Sequence, residues 1–144
     1  MRLKDIAKIR GKEIITTKPN SSIAEVIDKL VQNKFGALPV CELNGKLVGI
    51  ISERDILTWF HGKNIDTTNT RVMDVMTKDV VSGELEDDVE DVFMRMNEKG
   101  IRHLPIVTAN VIVGMLSLKD VIEERLSECS LQLRYLNDYI SGRV

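Results

Sequence analysis

The chain repeats itself, and that limits its possible folds more than any other feature. Ile23-Ala24-Glu25-Val26-Ile27-Asp28-Lys29-Leu30 returns as Val89-Glu90-Asp91-Val92-Phe93-Met94-Arg95-Met96, 66 residues on. Leu38-Pro39-Val40 returns as Leu104-Pro105-Ile106 at the same spacing. Val48-Gly49-Ile50-Ile51-Ser52-Glu53-Arg54-Asp55 returns as Val113-Gly114-Met115-Leu116-Ser117-Leu118-Lys119-Asp120 at a spacing of 65. The lost residue falls between two apolar runs, where a hairpin tip absorbs it. Arg2-Leu3-Lys4-Asp5-Ile6 likewise returns as Arg71-Val72-Met73-Asp74-Val75. A unit of about sixty residues is too small to bury enough surface comfortably, so two copies are expected to pack by their sheets around one shared core. At 144 residues the chain is too short for a TIM barrel, which takes about 250.

Within a unit the apolar period is readable. Ile23, Val26, Ile27, Leu30 and Val31 mark one face of a helix, with Ser22 and Glu25 as a capping box; Val89, Val92, Phe93 and Met96 repeat the stripe behind Asp87 and Asp88 as cap candidates. Two apolar runs follow in each copy, Ala37 to Cys41 and Lys46 to Ile51 around Asn44-Gly45, then His103 to Thr108 and Val111 to Leu116 around Ala109-Asn110. A second helix starts near Ser52 or Ser117, and a short strand (Glu13 to Thr17, or Asp79 to Ser82) precedes the first helix. Each unit therefore reads strand–helix–strand–strand–helix. Pro39 and Pro105 cannot donate to a ladder, which places their strand starts at a sheet edge. Residues 61–70 are polar and form the connector. The expected division is 1–65, 66–125 and a helical extension over 126–144. Along the helix that runs into that extension, Ile122, Leu126, Cys129, Leu133, Leu136 and Ile140 step by four and three, an a/d seam that either packs on its own domain or makes a dimer contact.

Composition excludes several functions. Twenty Lys+Arg against 22 Asp+Glu give a formal charge of −2, without the basic surplus of a nucleic-acid binder. No apolar run approaches the roughly 18 residues of a membrane span, and Met1 to Arg10 has no signal-peptide block. Cys41 and Cys129 lack metal or disulfide spacing and read as buried free thiols of a reducing, cytoplasmic protein. His61 in the connector reads as solvated, and Trp59 and Phe60 as packing residues. No nucleophile elbow, zinc motif or phosphate loop is present, so no catalytic residue and no metal site is assigned.

The repeated Gly-x-x-Ser-x-x-Asp carries the chemistry. Gly49, Ser52 and Asp55 form one copy; Gly114, Ser117 and Asp120 form the other. Ser-x-x-Asp at a helix start is a cap, satisfying free backbone N–H groups. The same carboxylate, with two acceptor oxygens, can also take both hydroxyls of a vicinal diol such as ribose, while the glycine leaves room for a ligand at the backbone. Both readings stand on spacing alone. Arg102-His103 has Gly36-Ala37 at the same place in the other copy, a basic pair where that copy has a small-residue gap, which suits a phosphate contact beside an open pocket or else an exposed Arg and a half-buried His.

These residues together resemble a cystathionine-beta-synthase (CBS) domain in two tandem copies, a Bateman module, over about residues 1 to 125. The resemblance implies an α+β fold of two β-α-β-β-α repeats, packed by their sheets with pseudo-twofold symmetry, with the C-terminal helix as an addition. It implies adenosine ligands in two clefts: AMP, ADP or ATP, or else S-adenosylmethionine or NAD. By position, Ser52 and Asp55 would hold ribose in one cleft, Val80-Val81-Ser82 would line the base, and Arg102 and His103 would reach phosphate. In the other, Ser117 and Asp120 would hold ribose, with Ile15-Thr16-Thr17 and Phe35-Gly36-Ala37 on the base. The absence of a basic counterpart at Gly36-Ala37 departs from the family pattern and removes the ground for assuming equal occupancy of the clefts. The expected function is a stand-alone regulatory module without a required cofactor, not an enzyme. It would be homodimeric through its domain faces or C-terminal helix and act on another protein, with no nucleic acid or membrane partner. The alternative is a ligand-free assembly module.

Overall fold

The structure is a computed structural model and describes residues 1–6 and 13–142, so part of the Met1–Arg10 stretch and the end of the 126–144 extension lie outside the described residues. After a 3-10 turn at Leu3–Asp5 come α1 (Ile23–Asn33), β1 (Ala37–Cys41), β2 (Leu47–Ser52), α2 (Glu53–Phe60), α3 (Val72–Val75), α4 (Val89–Lys99), β3 (His103–Thr108), β4 (Val111–Ser117) and α5 (Leu118–Ile140). The helical stripes bury Ile23, Val26 and Leu30 from α1 and Val89, Val92 and Met96 from α4. Ser22 Oγ accepts from Glu25 N at 3.2 Å, and the Asp88 carboxylate accepts from Glu90 N and Asp91 N. Both helices stop on a left-handed residue, Lys34 (φ 56°) and Gly100 (φ 63°). The connector is docked rather than loose: the carbonyls of Thr67 and Thr70 take the N–H groups of Ala24 and Ile23 at the start of α1.

The two hairpins, β1–β2 and β3–β4, are antiparallel with a bulge near the tip of each. The first tip runs through residues 42–46 with Gly45 left-handed (φ 85°), and Asn44 Oδ1 accepts from Lys46 N. The second is a two-residue turn with Ala109 (φ 50°) and Asn110 (φ 65°) both left-handed, the geometry that matches strand twist. This difference in tips is where the copies lose register from 66 to 65. The tips also join the two sheets, because Leu47 N donates to Asn110 O (2.9 Å) and Ile112 N to Gly45 O (3.1 Å).

Three expectations change. The lead-in strands at 13–17 and 79–82 shrink to single parallel bridges, Thr17 to Val40 and Gly83 to Ile106, each closed by two backbone hydrogen bonds. The prolines explain why. In a parallel ladder, the next rung would need an N–H from residue 39 or 105, and proline has none. For the same reason β1 and β3 are not edge strands; each lies between its lead-in bridge and its hairpin partner. The segments before Thr17 and Gly83 are thus released from the sheet, and they border the clefts described below.

The expected single shared core is also two. One cluster gathers Ile23, Val26, Leu30, Leu38, Val40, Ile51 and Ile56; the other gathers Val89, Val92, Met96, Leu104, Ile106, Leu116 and Val121. Each is completed by the lead-in of the opposite copy. Leu3 and Ile6 are fully buried in the second cluster, whereas Val72 and Val75 belong to the first. Arg2 bridges Asp88, and Arg71 bridges Ser22, the equivalent place in the other unit. Asp5 Oδ2 accepts from Arg2 N (3.0 Å) and Asp74 Oδ2 from Arg71 N (3.3 Å), so the repeated Arg-x-x-Asp is a pair of caps that fix these crossing segments.

Of the two readings of the C-terminal seam, packing on its own domain is the one that fails. Only Val121 of α5 is buried; Leu126, Leu133 and Ile140 are 62, 57 and 73% exposed. The helix, about 34 Å long at 1.5 Å per residue, packs on its own chain through its first turns, and the rest of the seam is uncovered within one protomer. Cys129 is correspondingly exposed rather than core, whereas Cys41 is buried and its thiol is pushed up to about 11 by loss of hydration.

Candidate functional site

Each cleft opens at the start of a helix that follows a hairpin. At α2, Ser52 Oγ accepts from Asp55 N (3.1 Å) and Asp55 Oδ2 accepts from Ser52 N (2.9 Å). At α5, Ser117 Oγ accepts from Asp120 N (3.0 Å) and Asp120 Oδ2 from Ser117 N (3.2 Å). Both Ser-x-x-Asp motifs are complete capping boxes. The next N–H of each helix is taken across the copies' equivalent positions, Glu53 N by Gly36 O and Leu118 N by Arg102 O. The caps therefore fix each carboxylate at a helix N-terminus, where the macrodipole stabilises negative charge. Asp55 Oδ1 also accepts from Thr77 Oγ1 at 3.2 Å. Two carboxylate oxygens offer about four acceptor sites, so these two bonds do not exhaust Asp55's capacity for a diol.

The first cleft, about 260 Å³, brings together Ser52, Asp55, Val80, Val81, Arg102 and His103 from the sequence reading. It adds Arg54, Thr77, Asp79 and Glu53. Thr77 pairs with Ile50 by two backbone bonds on the outer edge of β2. From there the chain crosses to Gly83 on the edge of β3, which lays residues 77–81 across this cleft. Ser82 does not line it; its carbonyl accepts from the Arg95 guanidinium (3.0 Å). The second cleft, about 400 Å³, brings together Ser117, Asp120, Phe35, Gly36 and Ala37, with Glu13, Ile14, Lys34, Lys119 and Gly114. Such volumes are at or just below the range of small-molecule sites, about 300–1,000 Å³.

Ile15, Thr16 and Thr17 do not line the second cleft. Ile15 packs on the first core, Thr16 O accepts from Lys29 Nζ (2.8 Å), and Thr17 is buried with its backbone held by β1. The wall is formed by residues 13 and 14, the counterparts of Asp79 and Val80. The motif glycines differ as well. A Cβ on Gly49 would stand 2.6 Å from Met76 Sδ and 3.1 Å from Thr77 O, so that glycine accommodates the chain and not a ligand; Gly114 lines the second cleft. Lys34 and Lys119 place cations in the second cleft that the comparison of Arg102-His103 with Gly36-Ala37 alone overlooked. Lys119 was findable as the counterpart of Arg54.

Burial holds the His103 imidazole below its ordinary value of 6.5, with Arg102 acting in the same direction; the carboxylates of Glu53 and Asp120 oppose the shift. The free protein thus presents a neutral imidazole at neutral pH, and fixed positive charge in the first cleft comes from Arg54 and Arg102. Because the folded chain binds this proton less readily than the unfolded one, stability is intact above pH 6.5 and falls as pH drops through the lower folded value. Melting curves from pH 8 to 5 are expected to show that decline in the wild type and a shallower one in His103→Gln; identical slopes would contradict the assignment.

Comparison with known proteins agrees with this architecture. The family model of the CBS domain matches twice, over residues 3–62 and 72–127. The chain belongs to the CBS domain family and has the α+β fold of a CBS domain pair. The CBS domain-containing protein YhcV of Bacillus subtilis is 35% identical over 115 residues, covering 80% of this chain and 81% of its own. Inosine-5'-monophosphate dehydrogenase of Methanocaldococcus jannaschii is 34% identical over 79% of this chain, which spans only 22% of that enzyme. Among solved structures, the CBS domain pair of MJ0100, in complex with 5'-methylthioadenosine and S-adenosyl-L-methionine, superposes with a TM-score of 0.76 at 27% identity, over 89% of this chain and 98% of that one. CBSX2 in complex with AMP gives 0.77 at 25% identity, over 88 and 97%. No described helix is long and apolar enough to cross a membrane, and no described group of three or more His, Cys, Asp or Glu could hold a metal ion.

Proposed function

We propose that this chain is a regulatory CBS pair that binds an adenosine nucleotide in its clefts and passes the bound state to a protein partner. The observation that carries the reading is the paired Ser-x-x-Asp cap, which presents a fixed carboxylate beside a released backbone segment in both halves. The MJ0100 and CBSX2 complexes share an adenosine moiety, and that shared part is what the clefts would recognise. Asp55 with Ser52, and Asp120 with Ser117, would take the ribose diol. Val80 and Val81, or Ile14 with Phe35 and Ala37, would flank the base. Arg54 and Arg102, or Lys34 and Lys119, would face phosphate, with His103 between them. A thermal-shift panel of AMP, ADP, ATP, NAD and S-adenosylmethionine ranks these ligands. In a thermal-shift panel on nucleotide-stripped protein, a ligand at 100 times its Kd adds about 2.7 kcal/mol of stability, or roughly 5–10 °C for a domain of this size. A panel that moves nothing would refute the reading. The module is proposed to act without catalysis, in a reducing cytoplasm in keeping with its two free cysteines.

The exposed seam of α5 favours an accompanying assembly role, in which a second copy covers Leu126, Cys129, Leu133 and Leu136. Light scattering is expected to give a dimer for the wild type and a monomer for L126E/L133E, with thermal stability of the monomer within about 0.5 kcal/mol because these side chains are exposed in the protomer. A dimer that survives both charges would assign dimerisation to another face.

A further inference from the structure

His103 occupies a place that neither cleft by itself explains. Among the described residues, only Gly36 and His103 line both clefts; Arg54 and Arg102 reach the first alone, and Lys34 and Lys119 the second alone. The two shared residues touch. A Cβ on Gly36 would lie 2.9 Å from His103 Nε2 and 3.0 Å from Cε1, so the imidazole edge rests directly on the glycine backbone. The small-residue gap of one copy and the basic pair of the other are therefore two sides of one contact, which forms the partition between the clefts. The Glu53 carboxylate of α2 and the Asp120 carboxylate of α5 act on the ring by charge, and Arg102 immediately precedes it in the chain.

We propose that His103 couples the two clefts, so that an anionic ligand bound in one weakens binding in the other. The proposal rests on the nucleotide reading above and adds its regulation. A neutral imidazole has one N–H to donate. A phosphate in the first cleft that takes this donor turns the ring toward Arg102 and away from the second cleft, and a phosphate in the second does the reverse. Gly36 closes the space behind the ring, so it cannot serve both. Linkage makes the effect mutual: whatever factor the first ligand imposes on the second is returned to it.

The test is calorimetric titration of the full, nucleotide-stripped chain with AMP. Asp120→Ala leaves the first cleft to report alone, and Asp55→Ala the second. The weaker of the two wild-type steps is expected to be at least about 5-fold weaker than the same cleft measured alone. The difference is expected to vanish when His103→Ala is placed in all three backgrounds. His103→Asn, a smaller change at the partition, provides the same comparison should the alanine variant not fold. Equal affinities with and without an occupied neighbour, or a difference that persists in both His103 variants, would overturn the coupling and leave nucleotide binding standing. Absence of AMP binding in every variant and in the wild type would instead remove the nucleotide reading, and the coupling with it.

Discussion

Leu3→Ala is expected to lower the melting temperature of the whole protein by roughly 10 °C, in one cooperative transition. Leu3 precedes the first copy in sequence yet is fully buried in the core of the second, among Val89, Val92 and Leu104. Truncating a buried leucine costs about 2–5 kcal/mol, through lost transfer energy and the cavity left behind. Total stabilities are about 5–15 kcal/mol, so the loss is a large share. At about 2–4 °C per kcal/mol for a chain of this size, the shift is easily measured by calorimetry. Leu43→Ala is the matched control: that side chain is 88% exposed at a hairpin tip and its loss should stay within about 0.5 kcal/mol. A shift below 2 °C for Leu3→Ala, or two separate transitions, would show that the lead-in does not complete the opposite core. The crossing also means that neither half carries its whole core, which is a physical reason for the copies to remain joined.

The second large effect concerns the carboxylates. Asp55→Ala is expected to weaken nucleotide binding in the first cleft by about 100-fold or more, because two hydrogen bonds to a charged acceptor contribute about 1.5–3 kcal/mol each. Asp120→Ala is expected to do the same in the second cleft, and the double variant to bind neither. The same substitutions remove half of a capping box, at a stability cost of about 0.5–2 kcal/mol. Binding must therefore be measured well below the melting temperature, where the variants are folded. Thr77→Val separates the two effects. It removes only the bond from Thr77 Oγ1 to Asp55 Oδ1 and leaves the α2 cap intact. It is expected to change first-cleft affinity by a few-fold at most and second-cleft affinity not at all. Calorimetry that finds Asp55→Ala and wild type equal in both clefts would confine the carboxylate to its capping role.

The parts of this fold that depend on neighbours in sequence were readable from it. The stripes of α1 and α4, the caps at Ser22, Asp88, Ser52 and Ser117, and the hairpin signals at Asn44-Gly45 and Ala109-Asn110 all act within a few residues. The parts that depend on which copy meets which were not. Leu3 and Ile6 are legible as part of a repeated lead-in, but nothing local says that they are buried in the opposite unit. Pro39 and Pro105 were read as edge markers because a missing N–H is compatible with an edge; the structure instead uses it to end a parallel ladder and release the segment that borders a cleft. The base wall of the second cleft was placed at Ile15-Thr16-Thr17 by the CBS resemblance alone. The position is fixed instead by Thr17 pairing with β1, which carries residues 13 and 14 to the cleft and Ile15 into the core. Lys34 was unreadable as a cleft cation, since it faces the second cleft only because α1 ends there in a left-handed turn.

Recognition of a vicinal diol by the paired carboxylates of Asp55 and Asp120 is what the nucleotide reading depends on. Titrating stripped wild-type protein with AMP and with 2′,3′-dideoxyadenosine monophosphate tests it directly, since the two differ only in the hydroxyls that Asp55 and Asp120 would hold. AMP is expected to bind saturably and the dideoxy compound with an affinity lower by about 100-fold, two charge-assisted hydrogen bonds being lost. Equal affinities, or no saturable binding of either compound, would contradict it.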